Sequence, residues 1–152
     1  MKRFAFKLQK VLQLRKNREE ESKIELGRAV GVLSEIENRI RITAANRHHA
    51  AAERFANAGN AAGMAAWDNY IIRLDQEAER LAKEAAQAEL VVEEKRELYL
   101  EASRDLKAIE KLKEKQEKEH RKEMFAAETA ELDLIPGRKR GEDSPVEMPV
   151  NT

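Results

Sequence analysis

The chain has 152 residues, of which 38% are Asp, Glu, Lys or Arg and 5% are aromatic, and its 29 basic side chains cancel its 29 acidic ones. That charge load leaves too few large apolar side chains for a compact core around a pocket, and points to a narrow apolar seam between long helices. The balanced charge argues against nucleic-acid binding through bulk positive charge, and the lack of cysteine rules out disulfides and thiolate metal sites.

The charge is nevertheless uneven along the chain. Lys2, Arg3, Lys7, Lys10, Arg15, Lys16 and Arg18 come before the first carboxylate, Glu19, so one end is basic. The apolar residues between Met1 and Leu14 are interrupted by Lys7, Gln9, Lys10 and Gln13, which does not read as a signal sequence. No stretch reaches the ~18 apolar residues of a membrane span, so any membrane contact is expected to be indirect or peripheral.

From Leu8 onward, apolar and small residues recur in alternating steps of three and four, the spacing that keeps a seam against a partner helix. The first ladder runs Leu8, Leu12, Arg15, Glu19, Ser22, Leu26, Ala29, Leu33, Ile36, Ile40, Thr43. The second runs Met64, Trp67, Ile71, Leu74, Ala78, Leu81, Ala85, Ala88, Val92, Lys95, Tyr99, Ala102, Leu106, Ile109. Between them, Asn57-Ala58-Gly59-Asn60 and Gly63 form the one cluster of turn formers before Pro136. The expected fold is all-α: a long antiparallel two-helix coiled-coil hairpin over residues 1–135. Its first helix is expected at 4–56, the turn at 57–63 and the second helix at 64–132.

A turn centred near Asn60 makes residues whose numbers add to about 121 face each other. That sets Leu33 opposite Ala88, Leu26 opposite Lys95 and Leu12 opposite Ile109. In the middle of the hairpin, large residues on one arm then meet small ones on the other. Arg15, Glu19 and Lys95 depart from the apolar pattern, and two readings stand: their stems cover the seam while their heads reach water, or they fix the register. The second helix outruns the first, leaving Met124, Phe125 and Leu132 on an overhang at 118–132 without an intramolecular partner. Residues 136–152, rich in Pro, Gly and charge, are expected to form a disordered tail.

Nothing in the chain assembles an active site. Its glycines, at 27, 31, 59, 63, 137 and 141, lack the spacing of a phosphate loop. His48 and His49 point about 100° apart on a helix, and His49 with Glu53 supplies only two ligands. The many carboxylates alternate with lysines as on a solvated, ion-paired helix surface, and His120 reads as exposed. No catalytic, cofactor-binding or metal-binding residue is expected, and no cofactor. Trp67 and Tyr70, three apart just after the turn, either pack the hairpin end or form a partner-docking spot. Phe4, Phe6, Leu8 and Val11 pose the same question at the basic end.

The opening Met1-Lys-Arg-Phe-Ala-Phe-Lys-Leu-Gln-Lys-Val-Leu-Gln-Leu-Arg15, then Arg18-Glu-Glu-Glu21, resembles the start of FliJ-family flagellar export proteins. Gly59-Asn60 and Trp67-Asp-Asn69-Tyr70 are similar to further family elements, as is Leu112 in Ile109-Glu-Lys-Leu112-Lys-Glu-Lys. The likeness spans about residues 1–133 and departs after Leu132, where an acidic ending becomes Leu132-Asp-Leu-Ile-Pro136. It implies a cytoplasmic, non-enzymatic part of the flagellar type III export apparatus, at the inner face of the membrane at the flagellar base. The implied partners are the export ATPase ring, which such a protein enters as a central stalk, the cytoplasmic domain of the export gate, and export chaperones. On this reading Phe4, Lys7, Leu8, Lys10, Val11, Leu12, Arg15, Ile109 and Leu112 contact the ring, and Trp67 and Tyr70 contact the gate or chaperones. The free protein is expected to be a monomer. Alternatives are the equivalent injectisome stalk, a self-associating scaffold, or a basic helix laid on anionic membrane.

Overall fold

The computed structural model of the chain describes residues 2–137. Two helices account for nearly all of them: α1, Gln9–Ala56, and α2, Ala61–Asp133. By packing they divide into a hairpin unit, Gln9–Ile109, and a second unit that joins residues 2–8 to residues 110–137. The expected tail lies, beyond Gly137, outside the described residues.

The reversal is tighter than the turn expected at 57–63, because Ala61 to Gly63 already belong to α2. Asn57 closes α1 twice, through its backbone N–H (3.1 Å) and its side-chain amide (2.8 Å), both donated to the Glu53 carbonyl. Gly59 then turns the chain at φ 99°, a left-handed conformation that costs glycine nothing and L side chains about 1 kcal/mol. Asn60 caps α2, its side-chain oxygen accepting from the Gly63 N–H at 3.2 Å while its carbonyl accepts from Met64 at 2.9 Å.

Four cross-hairpin contacts fix the register. Arg15 Nη1 donates to the Asp105 carbonyl at 2.8 Å, Lys95 pairs with Glu25 at 3.3 Å, Arg47 pairs with Asp75 at 2.6 Å, and Arg54 pairs with Asp68. Their residue numbers add to 120, 120, 122 and 122, the relation expected from the turn. Arg15 and Lys95 thus reach across the seam to the other arm, their stems covering it as they do.

This register sets unlike sizes level with one another: Leu33 with Ala88, Ile36 with Ala85, Ala29 with Val92, Thr43 with Ala78, and Ala50 with Ile71. The buried residues of the unit lie on this seam: Leu12, Ala29, Thr43 and Ala50 of α1, and Leu74, Leu81, Ala88, Val92, Ala102 and Ile109 of α2. Where a small residue faces a large one, two helices can close without voids.

The α1 seam continues past Thr43, where the ladder read from sequence stops. Ala50, one heptad on, is 0% exposed. Arg47 and Arg54 occupy the intervening seam positions but swing their guanidinium groups outward to Asp75 and Asp68. The two pairs are seven residues apart on both arms, a repeat of one heptad.

α1 starts at Gln9 rather than near Phe4. Continuing the helix backward would place Phe6 on its outer face, six residues before the seam residue Leu12. By leaving the helix, the chain buries Phe6 to 8% exposure, and burying an aromatic of that size stabilises by about 2–3 kcal/mol. α2 runs on to Asp133 and stops before Pro136, with Leu134 donating back to Ala130 at 3.2 Å. On this last stretch Met124 is half-buried, while Phe125 (73%), Leu132 and Leu134 are exposed.

Candidate interaction surfaces

Near the turn, the hairpin unit carries different chemistry on its two flanks. Asp68 and Asp75, seven apart on α2, line one flank with Arg47 and Arg54. Arg54 engages both Asp68 oxygens, the second at 3.4 Å. Asp75, through its hydrogen bond and then its charge, raises the Arg47 guanidinium further above its already high ordinary value, so that pair keeps its cation. Each pair is about half exposed, so each contributes little to folding stability and serves mainly to hold register.

The opposite flank is aromatic. Trp67 and Tyr70 are both half-buried, with ring centroids 5.9 Å apart in an edge-on arrangement. The His49 ring meets Trp67 edge-on at 6.4 Å, and the Arg73 guanidinium lies 5.8 Å from the Tyr70 ring centroid. Such contacts each contribute on the order of 0.5–1.5 kcal/mol. Packing and exposure therefore coincide at these two residues: each ring rests on neighbours on one side and keeps area open to solvent. Sequence reasoning missed His49 and Arg73. Arg73 was readable at three residues from Tyr70 on one helix face, whereas His49 sits off the register and is reached only because the indole is long.

At the basic start of the hairpin unit, the residues read as ring contacts divide by burial. Leu12 and Ile109 are buried in the seam and Val11 is half-buried, so these hold the arms together. Arg15 spends its guanidinium on the Asp105 carbonyl, and Lys10 is exposed.

In the second unit, Lys7 and Leu8 are exposed and Leu112 is half-buried. Phe4 is half-buried, its ring tilted 46° against that of His120 at 5.6 Å. The same imidazole meets the Lys2 carbonyl through Nε2 at 3.1 Å, a geometry in which that nitrogen carries the proton and donates. His120 is therefore half-buried and engaged, not the exposed residue expected from its polar surroundings.

Compared with protein families, residues 4–138 match the family described as "Flagellar FliJ protein". The chain belongs to the FliJ family. The match takes in both helices and both units, and it places the protein among the components of flagellar protein export. Comparison with curated proteins and with solved structures gave no match. In this FliJ-family chain no helix among the described residues is long and apolar enough to cross a membrane. Nor do the described residues gather three or more His, Cys, Asp or Glu side chains into a metal-binding group.

Proposed function

We propose that this FliJ-family chain acts as a stalk in the flagellar export ATPase ring, engaging it through the basic stretch from Lys2 to Arg18. The carrying observation is that this stretch holds seven cations and no carboxylate, within a chain whose family match begins at residue 4. Lys7 and Lys10 are exposed, and the same stretch of sequence carries the apolar residues Phe4, Leu8 and Val11. A ring that presents carboxylates inward attracts such a stretch at long range, and the apolar contacts then give the close fit.

The aromatic flank serves a second contact, with the cytoplasmic domain of the export gate or with export chaperones. Trp67 and Tyr70 are amphipathic, partly open and held by Arg73 and His49, so little side-chain entropy is lost when a partner covers them. The protein works at the inner face of the cell membrane at the flagellar base, held there by these partners.

The test is the steady-state rate of the cognate export ATPase with and without the protein. A several-fold rise that tracks ring assembly is expected, and Lys7→Glu with Lys10→Glu should abolish it while leaving helicity intact. Arg15 is left unaltered because reversing it would break its bond to Asp105. Stimulation by the double variant equal to wild type would refute the basic-stretch assignment. For the aromatic flank, Trp67→Ala should weaken pull-down of the gate domain with helicity retained, and a loss of helicity instead would make Trp67 structural.

A further inference from the structure

Residues 2–8 contain neither proline nor glycine and lead directly into a 48-residue helix, yet they are not helical. Helix propensity does not explain this, because Lys, Arg, Ala and Leu are all good helix formers. The alternative path is held by a few contacts. Phe6 is buried, Phe4 rests on the His120 ring, and His120 donates to the Lys2 carbonyl. Against these stands the entropy of ordering seven residues, of which Lys2, Arg3, Ala5, Lys7 and Leu8 are exposed. A segment with so few anchors and such a cost sits at the low end of local stability.

We propose that residues 2–8 form a strap latched on α2 by His120, and that the strap must open before the ATPase ring can engage Phe4. This rests on the ring-contact reading above. With the strap closed, one face of the Phe4 ring is taken by His120 and Phe6 is buried, so the segment presents its cations and Leu8 but neither aromatic ring in full. Opening releases both aromatic rings beside the already exposed Lys2, Arg3 and Lys7, and turns a sparsely apolar basic stretch into an aromatic and basic one. His120 is the positioning residue, since its imidazole engages both Lys2 and Phe4.

Two measurements test the proposal, and the first needs no ATPase. Limited trypsin digestion of the full chain should cut after Lys2, Arg3 and Lys7 several-fold faster in His120→Ala than in wild type, with cleavage at other sites unchanged. Equal rates at these three sites would overturn the latch. The second measurement leaves Phe4 in place: His120→Ala, with its strap already open, should reach half-maximal ATPase stimulation at a several-fold lower protein concentration than wild type. An unchanged or higher half-maximal concentration would overturn the proposal. If wild type itself does not stimulate the ATPase, the ring reading falls, and the trypsin comparison still decides whether His120 latches the strap.

Discussion

Leu81 is the most informative single residue for testing how the seam holds the hairpin. It is 0% exposed, level with Ile40 in the register, and with Leu12 one of two large side chains fully enclosed among the described residues. Leu81→Ala removes the branched end of the side chain and leaves a gap, a change that costs 2–5 kcal/mol in ordinary cores. Two helices have open sides, so neighbours can close over part of the gap, which places the expected loss at about 2–3 kcal/mol. Against a total stability on the order of 5–15 kcal/mol, that is a large share. The control is Leu90→Ala on the same helix: Leu90 is 72% exposed, and its loss should stay within about 0.5 kcal/mol. Urea unfolding followed by circular dichroism should show the Leu81→Ala midpoint falling by about 1–2 M, at a slope of about 1.5–2 kcal/mol/M. Trp67, the one tryptophan, gives a second probe near the turn, and its fluorescence should change at the same midpoint if the unit unfolds cooperatively. Equal midpoints for Leu81→Ala and Leu90→Ala would refute a seam centred on the assigned ladder.

Gly27 and Gly31 lie mid-helix, and a Cβ added at either would meet nothing within 4 Å. Gly27→Ala and Gly31→Ala should therefore each stabilise the protein, by about 0.5–1 kcal/mol in the same urea assay, and a loss of stability would reveal a close neighbour at these sites. A double-mutant cycle of Arg54→Ala and Asp68→Ala should return a coupling of about 0.2–1 kcal/mol, because the pair is two-fifths to half exposed; a coupling above about 2 kcal/mol would mean it is screened from water. Glu77 is held below its ordinary carboxylate pKa, chiefly by the hydrogen bond from Arg80. The pair's contribution is thus complete above the ordinary carboxylate range and is lost as pH falls through the depressed value. Arg80→Ala should move the Glu77 midpoint upward in a carboxyl-detected NMR titration, and an unmoved midpoint would show that another group sets it.

The hairpin was legible because steps of three and four survive even where the seam carries Arg15, Glu19 or Lys95, and because Gly59 and Asn60 left one place for the reversal. The register followed from that place, and the numbers of Arg15–Asp105 and Arg54–Asp68 agree with it. What escaped the sequence is where a side chain's head departs from its backbone position. Arg47 and Arg54 look like surface residues, so the α1 ladder seemed to stop at Thr43, although Ala50 beyond them is fully buried. The helix start was missed for a tertiary reason, since no local signal shows that Phe6 gains more by burial than by extending α1. At the candidate surfaces, scarcity of aromatics was enough to single out Trp67 and Tyr70. Leu12 and Ile109 were ambiguous, because an apolar residue near the end of a helix reads equally as seam or as free contact; burial places them in the seam.

The pairing of unlike sizes bears on which helices this chain refuses. Two copies of α2 laid parallel and in register would leave Ala85 and Ala88 facing alanines across empty space, a space that Ile36 and Leu33 of α1 fill. In the middle of its seam α2 is thus matched better by α1 than by its own double. Among the many heptad-bearing helices of a cell, that mismatch gives the chain a way to recognise its own second half and to stay out of other bundles.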